Sequence, residues 1–173
     1  TQSRSSAASD VYKRQAPITV PLYCLAEGLV LGGISAYANA LYPGIANQAI
    51  ALTFGILAAL LLLYKSRLIA ATENFKLGVF SATFGILIIY VLNLILSLFG
   101  ISFMGPLFGN GLTGILFSLF VIGIASLNLV LDFDFIENGA DQGAPKYMEW
   151  YAAFGLMITL IWLYIEILNL LMK

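Results

Sequence analysis

Residues 112–150, LTGILFSLFVIGIASLNLVLDFDFIENGADQGAPKYMEW, pass from an apolar run with no charge to a segment holding Asp132, Asp134, Glu137, Asp141 and Glu149 beside a single lysine, Lys146. The apolar part, Leu112–Leu131, shows no polar back of the kind a soluble amphipathic helix carries. Its length is that of a helix crossing a hydrocarbon layer roughly 30 Å thick at about 1.5 Å per residue. The acids follow at once, so the same stretch raises a second question: why a chain so poor in charge gathers carboxylates at the end of a hydrophobic segment.

Outward from this stretch the pattern repeats. A second apolar run, Met148–Leu171, follows the acidic connection. Upstream, Leu77–Phe99 is separated from Ile45–Tyr64 by the polar connection KSRLIAATENFK, and Ile45–Tyr64 is separated from Ile18–Leu41 by YPG at Tyr42–Gly44. Proline and glycine there supply a tight turn. Five spanning helices result. With no water in hydrocarbon to satisfy the backbone, helices are the natural solution, and the expected fold is an all-α polytopic membrane bundle. Residues 1–15, TQSRSSAASDVYKRQ, are polar, lack apolar periodicity and are set apart as a non-native or disordered tail; residues 16–173 form one domain.

Composition agrees. Hydrophobic residues make up 61% of the 173 and charged residues 10%, with a mean hydropathy of +0.95, so a bilayer rather than water is the solvent. A net charge of −1 without a basic patch gives no footprint for nucleic acid. With no histidine and one cysteine, Cys24, neither a zinc cluster nor an internal disulfide can be assembled. No nucleophile elbow, phosphate loop or HExxH occurs, and enzyme activity and cofactors are not expected. There is also no DxDxDG loop of the EF-hand kind. Lys65, Arg67 and Lys76 make the connection between the second and third spans the main basic loop, which the positive-inside rule assigns to the cytoplasm; by alternation the acidic connection lies there too.

Small residues recur at four-residue spacing as Gly28, Gly32, Ala36 and Ala40 in the first span and as Ala51, Gly55 and Ala59 in the second. Such ladders let helix backbones approach closely, either inside one bundle or between two copies. Tyr147, Trp150 and Tyr151 suit an interfacial aromatic anchor.

Polar residues inside the spans are the candidate functional groups, since an ionised carboxylate at such depth costs about 2.5 kcal/mol or more. Glu27, three turns into the first span, is either a neutral carboxyl hydrogen-bonded to a neighbouring helix or a lining of a polar cavity. In the last span Gly155, Thr159, Trp162, Glu166 and Asn169 share one face, with Glu166 either reaching the interface or lining a pathway. If the fourth helix continues through DFDFIE to a left-handed cap at Asn138 and Gly139, then Asp132, Asp134 and Glu137 occupy its last turns, against the negative end of the helix dipole. Protons, a bound cation or a basic group from elsewhere would offset them. Asn128 lies one turn before Asp132, and Asp134 points nearly the opposite way.

Three stretches carry a family resemblance: LAEGLVLGGISAYANALYPGIANQA (25–49), YKSRLIAATENFKLGV (64–79) and LNLVLDFDFIENGADQGAPKYMEWYAAFGLMITLIWLYIEIL (127–168). Together they resemble the bacterial branch of the transmembrane Bax-inhibitor-motif proteins, from about Ala16 to the C-terminus. The resemblance implies a seven-helix bundle of which the five helices here are the third to seventh, in a bacterial inner membrane. It also implies a pH-sensitive calcium leak gated by two aspartates, and in some members a link to a membrane-anchored AAA protease. The first aspartate matches Asp132; the second falls near Thr159, so Asp134, Glu27 or Glu166 would have to substitute. The family's basic latch partner belongs to the second helix, and no residue of this sequence can be named for it. The function expected is therefore a passive, pH-modulated cation leak in which Asp132 and Asp134 hold the ion, calcium being favoured. The alternative is a non-conducting regulator or substrate of a membrane protease.

Overall fold

The computed structural model describes the backbone of residues 2–100 and 105–173 and the side chains of residues 18–100 and 105–173. Over these residues the chain is helical, with no strand: α1 (Gln2–Leu41), α2 (Ile45–Lys65), α3 (Glu73–Leu98), α4 (Gly105–Phe108), α5 (Leu112–Asp141) and α6 (Met148–Leu171). Among the described residues five segments are long and apolar enough to cross a membrane: Ile18–Leu41 within α1, and α2, α3, α5 and α6. The polytopic bundle expected from the apolar runs is the observed fold. Part of the connection between the third and fourth spans, residues 101–104, lies outside the described residues, as do the side chains of the polar tail.

Local chemistry sets the boundaries. The Tyr42–Gly44 turn closes because Gly44 adopts φ 90°, a left-handed conformation open to glycine, while its N–H donates to Asn39 Oδ1 at 2.7 Å. Thr72 caps α3 by accepting from the Phe75 N–H at 3.3 Å, and Glu73 in the first turn complements the helix dipole. The third span therefore starts a turn before the apolar run at Leu77. At the other end of the acidic stretch the stop expected at Asn138 and Gly139 is displaced: α5 runs on to Asp141. Gly143, at φ 64°, takes the left-handed position instead. Its N–H meets the Ala140 carbonyl at 3.1 Å and the Ala144 N–H meets that of Gly139 at 2.9 Å, the paired bonds of a Schellman stop.

In the bundle α5 and α6 form the central pair. Helix α2 lies across both, α3 and α4 pack on α5, and α1 touches α2 and α6. The core gathers Ala38, Ile45, Ala49, Ala125, Leu129, Phe133, Leu163, Tyr164, Ile167 and Leu168. Lipid tails are as apolar as leucine, so helices in a bilayer associate through close packing and hydrogen bonds rather than through a hydrophobic drive. The core fits that rule: Ala38, Ala49 and Ala125 are fully buried, the hydroxyls of Ser35 and Tyr164 meet at 2.6 Å, and Asn128 Nδ2 donates to Thr83 Oγ1 at 2.7 Å. Large apolar side chains such as Leu29, Leu98 and Phe80 face outward, which in a bilayer is their solvated state.

The ladders assigned to helix packing do not make these contacts. Gly28, Gly32, Ala36 and Gly55 are exposed, and a methyl group added at Gly28, Gly32 or Gly55 would meet nothing within 4 Å. The α1–α2 approach uses Ala38 and Ala49 because the YPG turn fixes which faces meet. At Gly114 the space is genuinely closed: an added Cβ would stand 1.9 Å from the Gly109 carbonyl oxygen, a backbone atom that cannot swing aside. Gly114→Ala is accordingly expected to lower stability by about 1–3 kcal/mol through overpacking. Gly123→Ala, on the open face of the same helix, should be neutral or stabilising by up to about 1 kcal/mol. Unfolding midpoints in detergent compare the two.

Candidate functional site

The sequence D-F-D at 132–134 distributes three side chains over three neighbours, because each step turns the helix by about 100°. Phe133 is buried against Tyr64 of α2, ring centroids 5.9 Å apart. That contact aims Asp132 at α6 and Asp134 at α3. The acidic stretch therefore feeds two different sites.

The first lies in the α5–α6 seam. Asp132 Oδ1 faces Gly155, where a side chain's first carbon would sit 3.7 Å away, an ordinary van der Waals contact. The Thr159 hydroxyl is in hydrogen-bonding reach of Asp132 and lies 3.2 Å from the Gly155 carbonyl oxygen. Asp132 Oδ2 is buried and has no hydrogen-bond partner. Asn128 turns instead to Thr83 of α3 and does not join Asp132.

The second site answers why the acids sit at the end of α5. Lys76 Nζ lies 2.8 Å from Asp134 Oδ2 and 3.2 Å from Glu73 Oε1, and Asn138 Nδ2 donates to Asp134 Oδ2 at 2.9 Å. One turn on, Arg67 donates to Glu137 Oε1 at 2.7 Å and the Tyr64 O–H donates to Glu137 Oε2 at 2.5 Å. A polar recess of about 280 Å³ opens beside this clasp, lined by Tyr64, Arg67, Thr72, Asp134, Glu137 and Asp141. Of the three compensations open to the sequence, a basic group from elsewhere is the one seen here, supplied by the connection between α2 and α3. The pairing also puts that connection and the acidic one at the same end of the bundle, as alternation requires. Arg67 holds its place with φ 59°, a conformation uncommon for a residue with a side chain.

Asp132 and Asp134, named from the sequence as a calcium-holding pair, do not converge, since one faces Thr159 and the other Lys76. Among the described residues no group of three or more His, Cys, Asp or Glu side chains gathers as metal ligands would. Glu27 is half-buried on α1 and hydrogen-bonded with Tyr23, whose ring packs edge-on against Phe154 of α6 at 5.2 Å. Glu166 is buried between the helices, only 5% exposed. The Tyr90 O–H donates to its Oε1 at 2.5 Å and its Oε2 has no partner. Sequence reasoning missed Tyr90, Arg67 and Lys76 as partners. Only the two connections' opposite charge hinted at the clasp, and nothing marked Tyr90, on another helix, as the group facing Glu166.

The two ion pairs differ in exposure, and that decides their weight. Side-chain exposure is 75% and 34% for Arg67 and Glu137 but 33% and 19% for Lys76 and Asp134. An exposed pair contributes about 0.2–1 kcal/mol, whereas a more sheltered, charge-assisted bond contributes about 1.5–3 kcal/mol. A double-mutant cycle with Lys76→Met and Asp134→Asn should therefore give a larger coupling energy than Arg67→Met with Glu137→Gln, and the difference should persist in high salt.

A family model described as Bax inhibitor 1 like matches residues 7–173. No curated protein and no solved structure matches the chain. The match spans nearly the whole sequence and includes the α5–α6 seam and both sides of the clasp, and on that ground this multi-pass membrane protein belongs to the Bax inhibitor 1 like family.

Proposed function

We propose that the protein is a passive, pH-modulated cation leak of a bacterial inner membrane, with calcium as the favoured ion and the α5–α6 seam as the gate. The observation that carries this reading is Asp132, held beside Thr159 and Gly155 with one carboxylate oxygen buried and bare. A carboxylate so placed recruits either a proton or a cation, since an uncompensated charge away from water is costly. The clasp adds the coupling. Ionised Asp134 holds Lys76 and with it the start of α3; protonation removes the charge that holds it, and the packing of α5 against its neighbours changes. A proton shifts that balance only through its different affinity for the two packings. With Lys65, Arg67, Lys76 and Lys146 at the clasp end and Lys173 at the other, the clasp is assigned to the cytoplasmic face.

A second reading, a non-conducting regulator or substrate of a membrane-anchored protease, is favoured by one observation: the small residues Gly28, Gly32 and Ala36 of α1 are exposed, with open space at both glycines, where another helix can approach.

Reconstituted in liposomes with a calcium indicator inside, the wild type should admit calcium at a rate that depends on pH. Asp132→Asn and Asp134→Asn should each flatten that dependence. A flux identical in all three proteins defeats the gating scheme, and absence of flux together with co-purification of a protease favours the second reading.

A further inference from the structure

Glu166 is used by neither the gate nor the clasp. It lies within the last span and is almost fully buried. The Tyr90 hydroxyl meets its Oε1 at 2.5 Å, and its Oε2 is buried without a hydrogen-bond partner. Helix α3 packs on α5 rather than on α6, so Tyr90 reaches past α5 to make this bond. Its ring is set by Phe108 of α4 and Phe117 of α5, with centroids 5.5 and 6.5 Å away. Trp162, one turn earlier on α6, is the other polar side chain in reach of the carboxyl. Tyr90 and Trp162 are both neutral donors.

No cation is paired with this acid. Among the described residues the ion pairs are Arg67–Glu137, Lys76–Glu73 and Lys76–Asp134, all at the clasp end. At the opposite end the Lys173 ammonium is committed to the Gly114 carbonyl oxygen at 3.0 Å and to Ser118 Oγ at 2.9 Å. The other ionisable groups are few. Helix α4 and the Leu112–Leu131 part of α5 carry none, and those of α2 are Tyr64 and Lys65, at the clasp. On the described part of α1, Glu27 is engaged by Tyr23, Cys24 meets Met157 and Tyr37 is exposed. Tyr164, on α6 itself, is bonded to Ser35.

An ionised Glu166 would keep a full charge away from water among neutral neighbours, an arrangement that is costly in hydrocarbon. A neutral acid asks for less. Its hydroxyl and that of Tyr90 share one hydrogen bond, and the oxygen left bare is then a carbonyl, whose missing partner costs less than that of a charged group. We propose that Glu166 and Tyr90 form a proton-binding site inside the bundle, in which Glu166 is held as a neutral carboxylic acid at neutral pH and links α6 to α3. The proton is part of the packed structure, as a bound ligand would be. This site is separate from the α5–α6 gate, since Asp132 lies beside Thr159, seven residues back along α6. It does not depend on whether the protein conducts.

The test is infrared spectroscopy of the purified full chain in detergent at about pH 8, where an ordinary glutamate is ionised. Subtracting the spectrum of Glu166→Gln from that of the wild type should leave one carboxylic-acid carbonyl band, which moves in heavy water because the acid proton exchanges. Tyr90→Phe removes the hydrogen bond but not the proton, so the band should persist at a higher frequency. Where Glu166→Gln does not purify as a folded protein, Tyr90→Phe decides alone, because an acid band that moves on removing that hydroxyl belongs to the carboxyl it touches. Three results overturn the proposal: carboxylate bands in place of the acid band, an acid band that survives Glu166→Gln unchanged, or one indifferent to Tyr90→Phe.

Discussion

Arg67 and Lys76 reach from the α2–α3 connection to Glu137 and Asp134 near the end of α5, where the helix dipole is already negative and further acids oppose it. Without cations at that point the last turns of α5 would carry uncompensated repulsion. With them α5 continues to Asp141, and the turn between α2 and α3 is fastened to it. Everything central then follows in sequence. A fixed α5 presents Phe133 to α2 and Asp132 to α6, and the seam between α5 and α6 becomes the place where a carboxylate is held away from water.

The remaining polar contacts obey the same economy of a low-dielectric solvent. Ser35 with Tyr164, and Asn128 with Thr83, are side chains that close on one another between helices, so neither is left asking for water. Asp132 and Glu166 are different: each has one oxygen in use or within reach of a donor and one buried without a partner. They lie toward opposite ends of the bundle, Asp132 beside Thr159 and Glu166 seven residues further along α6. A bundle this apolar thus keeps two incompletely satisfied acids, and those are the positions where chemistry other than packing is to be sought.

Spans were legible because twenty-residue apolar runs have one meaning in a bilayer, whereas Thr159 was set beside Asp132 only by the family resemblance and not by spacing or charge. The opposite aim of Asp134 was legible from helical rotation alone. Other features depended on which face meets which neighbour, and periodicity is silent on that. Gly28 and Gly32 have the spacing of a packing ladder, yet Ala38 and Ala49 make the contact, because the turn at Tyr42–Gly44 selects the face. Asn138 and Gly139 have the chemistry of a helix stop, yet Gly143 is used, because the clasp stabilises another turn. Nothing in the sequence pairs Lys173 with Ser118, which its ammonium meets at 2.9 Å.

The length of α5 carries a further consequence. Thirty residues rise about 45 Å, some 15 Å more than the hydrocarbon they cross, so this helix must tilt or stand proud of the membrane. Its surplus lies at the clasp end, where the paired charges would ride at headgroup depth, within the field of anionic lipids. A thicker bilayer would draw those turns inward and strip water from the ion pairs, and a thinner one would lift them clear. Membrane thickness is thereby a mechanical input to the clasp, delivered without any ligand.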